Sequence, residues 1–176
     1  QAAVRLCHEV RQRPGSLRFM SADSFAARLD ALDIALPDVP VPIARFKPWR
    51  KSGDLVYLAG QVCEWNGTVR FVGKVGVDHD LEGGQSAARI CGLNLLAALR
   101  QACDGDIERI DHCVRLGGFV NCSPDFDSVP FVVNGASDLM VEVFGEHGEH
   151  CRTAIGVASL PQRAAVEVDA VFRLRP

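Results

Sequence analysis

Two stretches near the C-terminus alternate between apolar and charged side chains, and this pattern requires a β-sheet with two unlike faces. In Cys151–Val157 the odd positions hold Cys, Thr, Ile and Val, so we expect that side of a strand to face a core and to turn Arg152 and Ala154 the other way. The next stretch repeats the period, with Glu167 and Asp169 opposite its apolar side chains. Those apolar side chains are Val166, Val168, Ala170 and Phe172. On such a sheet the arginine can bind the carboxylate of a small metabolite, and the glutamate can serve as a second, polar contact.

The composition suits one compact soluble domain. Of the 176 residues, 48% are hydrophobic and 23% are charged, which is enough apolar material for a sizeable core. A net charge of -3 and a pI near 5.9 mean that the overall charge does not favour binding to nucleic acid. No apolar run approaches the roughly 20 residues that span a bilayer, and the N-terminus lacks the apolar core of a signal peptide. We therefore expect a cytoplasmic protein with no nucleic-acid partner and no membrane partner.

The cysteines and histidines predict neither a disulfide framework nor a metal site. The seven cysteines are an odd number scattered through apolar segments, which favours reduced and buried thiols. Cys151 is expected on the helix-covered face of its strand, as a small buried thiol. His147 and His150 imitate a metal cluster with their neighbours, but they lack a second ligand pair, so we interpret them as solvated loop residues and expect no metal.

The N-terminal part of the chain reads as an addition to the main domain. Residues 1–20 are basic, and we interpret them as an N-terminal extension. In residues 21–41, Ser21 or Asp23 caps a short helix, after which three prolines form a stiff linker. The main domain is predicted to occupy residues 42–176.

Short strands open the main domain. Residues 43–50 are expected to be extended, and Leu55–Ala59 is a short apolar strand that pairs with them. The pair Asn66-Gly67 is typical of a type I′ turn, so residues 62–65 and 68–72 are predicted to form a smaller ribbon.

Two amphipathic helices follow. The first begins after Asp80 and is stopped by the pair Asp104-Gly105, with apolar side chains recurring at helical spacing between them. Ser128 and Pro130 open the second helix, which carries another apolar stripe.

A long strand between the helices completes the pattern. Ile110–Asn121 alternates in strand fashion, and Gly117 and Gly118 mark either a bulge or a close backbone approach. The order of elements predicts an α+β fold in which one mixed sheet carries both helices on one face. Since the second face still holds apolar side chains, we expect other copies of the chain to cover it.

Several motifs resemble those of the YjgF/RidA family over about residues 42–174. The resemblance is carried by Gly53–Gln61, the strand that contains Arg152, and Val166–Val168. A longer subgroup of the family is similar in further motifs, at Gly73–Gly76, Ala88-Arg89 and Asn134–Leu139.

The resemblance implies a chorismate-mutase-like fold that assembles as a homotrimer, with ligand sites in clefts between subunits. The best-known members of the family hydrolyse reactive imines and enamines such as 2-iminopropanoate to 2-oxo acids and ammonia, without a cofactor. Carried over to this sequence, Arg152 would clamp the substrate carboxylate, the backbone N–H of Ala154 would add a hydrogen bond, and Glu167 would orient or deprotonate a water. RNA cleavage is sometimes attached to relatives, but this acidic chain has no basic stripe with aromatic platforms that would favour it.

Two departures from the family pattern keep a second function open. Deaminating relatives usually carry a tyrosine where Phe46 stands and a cysteine where Ala154 stands. Loss of a phenol hydroxyl weakens the case for the same reaction. The alternative to an enzyme is a non-catalytic protein that binds or senses a small carboxylate metabolite in the same cleft.

The individual residues also have plainer interpretations. Arg152 could form a structural ion pair with Glu167 or Asp169 across strands, and Glu167 could serve only to orient it. Phe46 is either an apolar wall of the pocket or ordinary core. Asn134 either reaches a ligand or a neighbouring subunit, or is simply exposed.

Overall fold

The computed structural model describes residues 25–42 and 44–176. In this part of the chain a five-stranded sheet carries two long helices on one face. The helices are α1 (Phe25–Ala31), α2 (Leu81–Ala102) and α3 (Val129–Phe144). The strands are β1 (Trp49–Ser52), β2 (Leu55–Val62), β3 (Glu64–Trp65), β4 (Thr68–Val69), β5 (Ile110–Asn121), β6 (Cys151–Val157) and β7 (Val166–Leu174).

The sheet is mixed, as the order of elements predicts. Its strand order is β1-β2-β7-β5-β6, and every neighbouring pair is antiparallel except β5 and β6. That pair is parallel because α3 crosses between the two strands, the connection that parallel neighbours need. The predicted Asn66-Gly67 ribbon forms from β3 and β4, with φ of 50° and 81° at the two turn residues.

The ends of both long helices follow the sequence signals. The Asp80 carboxylate accepts a hydrogen bond of 2.8 Å from the Gly83 N–H and caps α2. Asp104 and Gly105 follow the helix with φ of 55° and 87°, which ends it. Ser128 occupies the N-cap position of α3.

Close approach explains the glycine pair of β5. A Cβ on Gly118 would lie 2.5 Å from Val133 Cγ2 on α3, and one on Gly117 would lie 2.5 Å from Asp169 Oδ1 on β7. The register shifts of β5 lie nearer its start, between residues 110 and 115. Of the two predicted interpretations, close backbone approach is therefore the one confirmed, and it lets α3 lie against the sheet.

The core lies between the sheet and the two long helices, with α2 over β2 and β7 and α3 over β5 and β6. The even residues of β7 from 166 to 172 are buried there, as predicted. The opposite face of the sheet, which we call the open face, exposes Tyr57 by 47% and Ile155 by 45%. Glu167 and Asp169 also lie on this open face, since they alternate with the buried side chains of β7.

The predicted faces of β6 are reversed in the structure. Cys151, Thr153 and Ile155 are exposed, whereas Arg152 and Ala154 are half-buried on the side of α3. The alternation fixed which residues share a face but not which face is covered. Because α3 offers hydrogen-bond acceptors to Arg152, the guanidinium rather than the apolar side chains turns toward the helix.

The same reversal corrects the expectation for Cys151. It is an exposed free thiol, and its Sγ lies 3.1 Å from the Val114 carbonyl oxygen. The other cysteines of the described residues are free and buried, as predicted. Cys7 lies outside those residues.

The segment before the sheet lies against the same core. The described part of the predicted helix is α1, which ends at Ala31, and the predicted caps, Ser21 and Asp23, lie outside the described residues. Four partly buried side chains of this segment contact the core, and they are Leu29, Ile34, Leu36 and Val39. Among the described residues, no helix is both long enough and apolar enough to cross a bilayer.

Candidate functional site

Arg152 lies on the edge strand β6 and is held by three neutral acceptors from α3. Its Nη1 donates to Asn134 Oδ1 and to Ser137 Oγ, each at 2.9 Å, and its Nη2 donates to the Pro130 carbonyl oxygen at 3.0 Å. Asn134 and Ser137 are three residues apart, which places both on one face of α3. No carboxylate of the described residues lies within 4.0 Å of the guanidinium, so the interpretation of Arg152 as a structural ion pair with Glu167 or Asp169 is wrong. Asp169 instead pairs with Arg115 at 3.0 Å.

The donor count of Arg152 leaves part of the guanidinium open. An arginine side chain has five N–H donors and no acceptor. The three bonds to α3 use both hydrogens of Nη1 and one of Nη2. The Nε–H and one Nη2–H therefore have no acceptor among the described residues, and two such donors are what a carboxylate requires for bidentate binding.

Asn134 contacts the predicted anion-binding residue directly. With Oδ1 accepting from Arg152, its Nδ2 group faces away from that bond and has no acceptor among the described residues. Asn134 therefore combines two tasks, orienting the guanidinium and offering a further donor beside it.

Ala154 lies on the same side of β6 as Arg152, two residues further along. It is half-buried, and its methyl group packs against the core. Because β6 is the last strand of the sheet, one edge of its backbone has no neighbouring strand among the described residues.

Ser137 and His150 belong to the surroundings of Arg152, although the sequence did not indicate them. Ser137 Oγ lies 3.0 Å from His150 Nε2, and His150 Nδ1 lies 2.6 Å from the Gly148 carbonyl oxygen. Burial lowers the pKa of His150, and the nearby positive charge of Arg152 lowers it further. His150 lies in a loop, as expected, but it is half-buried and hydrogen-bonded rather than solvated. The helical spacing of Ser137 from Asn134 was the one signal that could have found this cluster.

Glu167 lies on the open face of the sheet, over the bulged end of β2. Its carboxylate occupies the space beside Gly60, where a Cβ would collide with it. Burial raises the pKa of Glu167, and the negative charge of Asp169 raises it further. A carboxylate with a raised pKa holds and releases protons closer to neutral pH than an ordinary one.

Phe46 shares a cavity with Glu167. The cavity encloses about 210 Å³, and Phe46 on its wall is 48% exposed. The other walls come from the proline-rich segment before β1, the end of β2, the start of β3 and the loop before β7. They are Pro40, Val41, Pro42, Pro48, Gly60, Gln61, Val62, Glu64, Pro161 and Gln162. Of the two predicted interpretations of Phe46, the cavity wall is the one that the structure supports.

The predicted residues thus form two groups rather than one. Arg152, Asn134 and Ala154 lie at the β6 edge on the side of α3, whereas Glu167 and Phe46 line a cavity that includes the end of β2 on the open face. The structure does not bring the two groups together within one protomer. Neither group contains a cluster of three metal-ligating side chains, and the described residues hold none elsewhere.

Comparisons with known proteins agree on one family. A family profile described as "YjgF/chorismate_mutase-like, putative endoribonuclease" matches residues 26–171. Protein TCP17 of Trypanosoma cruzi is 41% identical over 150 residues, which cover 85% of this chain and 93% of that protein.

Two crystal structures share both fold and sequence with the chain. Atu1372 of Agrobacterium tumefaciens, described as having unknown function, has a TM-score of 0.80 at 39% identity, over 88% of this chain and 96% of that one. A "putative endoribonuclease" of Shewanella oneidensis has a TM-score of 0.83 at 31% identity, over 86% of this chain and 99% of that one.

Proposed function

The chain belongs to the YjgF/chorismate-mutase-like family, and from that premise we propose that it hydrolyses small imine or enamine carboxylates to 2-oxo acids and ammonia. The observation that carries the proposal is the state of Arg152. Its guanidinium is fixed by uncharged acceptors and keeps two N–H donors for a ligand. An arginine that served only to neutralise an internal acid would have a carboxylate beside it.

The electrostatics of this arrangement favour an anionic ligand. The serine hydroxyl, the asparagine amide and the Pro130 carbonyl orient the guanidinium without cancelling its charge. A carboxylate ligand would therefore meet a full positive charge in a half-buried site. The Nδ2 group of Asn134 provides a further donor beside it.

The complete site is proposed to form between protomers. Arg152 and Glu167 lie on opposite faces of one sheet, so they can serve one ligand only if they come from different copies of the chain. Contact between the β6 edge of one copy and the Phe46 cavity of the next would join two different surfaces, and such contacts form a ring when the rotation between copies closes. The proposed ring is the homotrimer that the family resemblance implies, with the open faces of the sheets turned inward.

The chemistry needs little from the protein beyond these groups. Arg152 grips the carboxylate and withdraws electron density from the adjacent C=N carbon, which a water then attacks. Glu167 accepts a proton from that water and returns it to the imine nitrogen, which gives a carbinolamine. The proton of the new hydroxyl group then passes by the same route to the amine, the C–N bond breaks with release of ammonia, and the carbon becomes C=O. General-base help of this kind is worth about 10²–10⁴-fold, and the raised pKa of Glu167 suits it to this task.

A second candidate is non-catalytic binding of a small carboxylate in the same cleft. It is favoured by Phe46, which lies in the Glu167 cavity without a hydroxyl that could bond to a substrate or a water. This candidate predicts saturable binding of 2-oxobutanoate that is lost in Arg152→Ala, with no turnover of any imine.

One assay separates the two candidates. 2-Aminoacrylate is generated in place by a dehydratase, and loss of the imine is followed with and without the protein. We expect acceleration by the wild type, none by Arg152→Ala, and little by Arg152→Lys, which keeps the charge but loses the planar fork. Arg109→Ala is the matched control, since Arg109 is exposed and lies 3.8 Å from Asp104. No acceleration by the wild type would exclude this activity, and no binding of 2-oxobutanoate by calorimetry would exclude the second candidate too.

A further inference from the structure

We infer that Ser137 and His150 are positioning residues that lock the Arg152 guanidinium in one orientation, with its Nε edge presented to the ligand. The inference deepens the proposed carboxylate site and rests on it for its functional meaning. Its structural basis is a continuous hydrogen-bond chain that runs from Arg152 through Ser137 and His150 to Gly148.

The direction of every bond in this chain is determined at its far end. The Gly148 carbonyl oxygen can only accept, so His150 Nδ1 carries the hydrogen of their 2.6 Å bond. Since burial and the charge of Arg152 lower the pKa of His150, the ring is neutral at pH 7 and its Nε2 is an acceptor. The Ser137 hydroxyl therefore donates to Nε2 over 3.0 Å.

This direction decides what Ser137 offers to Arg152. Because the Ser137 hydroxyl donates its hydrogen to His150, its oxygen is an acceptor for Arg152 Nη1, which donates to it over 2.9 Å. Without His150, the hydroxyl could rotate its hydrogen toward the guanidinium and cease to be an acceptor. His150 thus acts on Arg152 through Ser137 and not by direct contact.

The consequence is a guanidinium that cannot turn. Both hydrogens of Nη1 are engaged, one by Ser137 and one by Asn134, and Nη2 is engaged by the Pro130 carbonyl. Three acceptors on one side of a planar group fix that plane and leave the Nε side for the ligand. Because Ser137 Oγ already accepts from a cationic donor, the Ser137–His150 pair is a positioning device and not a nucleophile with its base.

Nuclear magnetic resonance of the arginine side chains tests the orientation without any ligand. In ¹⁵N-arginine-labelled protein, we expect the Nη hydrogens of Arg152 to give separate signals because rotation is slow. Ser137→Ala and His150→Phe should merge these signals. Ser137→Thr and His150→Gln should keep them, since both retain the necessary hydrogen-bonding atoms, and His112→Phe is the control because that ring bonds to Asp111. Merged signals in the wild type, or unchanged signals in Ser137→Ala, would overturn the inference.

Binding of 2-oxobutanoate, measured by calorimetry, tests the functional meaning. Loss of a hydrogen bond to a charged group should weaken binding about tenfold in Ser137→Ala. The double variant with His150→Phe should lose no more than Ser137→Ala alone, because the histidine acts through the serine. Additive losses would overturn the positioning role of His150. If Arg152→Ala leaves binding unchanged, the proposed function fails; if only Arg152→Ala weakens binding, the positioning inference alone fails.

Discussion

Arg152 and Glu167 lie on opposite faces of the same sheet, with β5 between their strands. The first is held by α3, and the second lines the Phe46 cavity on the open face. In the proposed function each residue is half of a site, with the anion bound at the β6 edge and the proton handled in the cavity. The proposal therefore makes activity depend on assembly.

Assembly can be tested on the open face. Ile155→Lys places a charge where the open faces are proposed to meet, so we expect sedimentation to show dissociation of the trimer at micromolar concentration. Val77→Lys is the control, because Val77 is 67% exposed in a loop outside the sheet. A wild type that sediments as a monomer would contradict the trimer.

The pH profile of hydrolysis should report Glu167. The base must be ionised to accept a proton from water, so kcat/KM is expected to rise as pH increases through the raised pKa of Glu167. Asp169→Asn should move this rise to lower pH, since it removes a negative charge that helps to raise that pKa. Glu167→Gln should reduce the rate by about 10²–10⁴-fold. If kcat/KM of Glu167→Gln still rises with pH as it does in the wild type, the general base is a different residue.

The same carboxylate should affect the free energy of unfolding. Its folded pKa is raised above the unfolded value of 4.5, so the native state binds the proton more tightly. The protonated group's stabilising contribution is fully present below pH 4.5 and is lost as pH rises through the folded pKa. We expect Glu167→Gln to be more stable than the wild type at pH 7 and to lose that advantage in acid. Denaturant titrations at pH 7 and below pH 4.5 measure the free energy of unfolding of both proteins. An equal difference between variant and wild type at the two pH values would contradict the prediction.

Gly118 should tolerate no side chain while Val133 stands above it. Gly118→Ala places a Cβ 2.5 Å from Val133 Cγ2, and overpacking of this kind costs about 1–3 kcal/mol. Val133→Ala in the same chain makes room, so the double variant should be less destabilised than the sum of the single variants. Urea denaturation measures the three values, and strict additivity would show that the two positions do not contact.

The two helix N-caps should respond differently to substitution. Asp80→Ala removes the bond to the Gly83 N–H and should destabilise the fold by about 1 kcal/mol. Ser128 occupies the corresponding position of α3 but makes no capping bond with its side chain, so Ser128→Ala is the matched control with a smaller effect. Thermal unfolding compares them, and equal losses would contradict the assignment.

The sequence by itself determined the two long helices and the long strand between them, because local signals suffice for these elements. The first strand, expected within residues 43–50, lies instead at Trp49–Ser52. The cap at Asp80, the stop at Gly105 and the alternation of Ile110–Asn121 each act within a few residues, and each lies where it was predicted. The family motifs likewise indicated Arg152 and Glu167 as the charged residues of the candidate site.

Only the tertiary structure decided which face of β6 is covered and what surrounds Arg152. Alternation with a period of two shows which side chains share a face, but it does not show on which face a helix will lie. The apolar odd positions of β6 were therefore assigned to the wrong face. The hydrogen-bond partners of Arg152 come from α3, and His150, which bonds to one of them, comes from the turn before β6. These groups meet only when the helix crosses the sheet. His150 becomes a half-buried neutral acceptor by that packing, since burial and a neighbouring charge are properties of the fold and not of the residue.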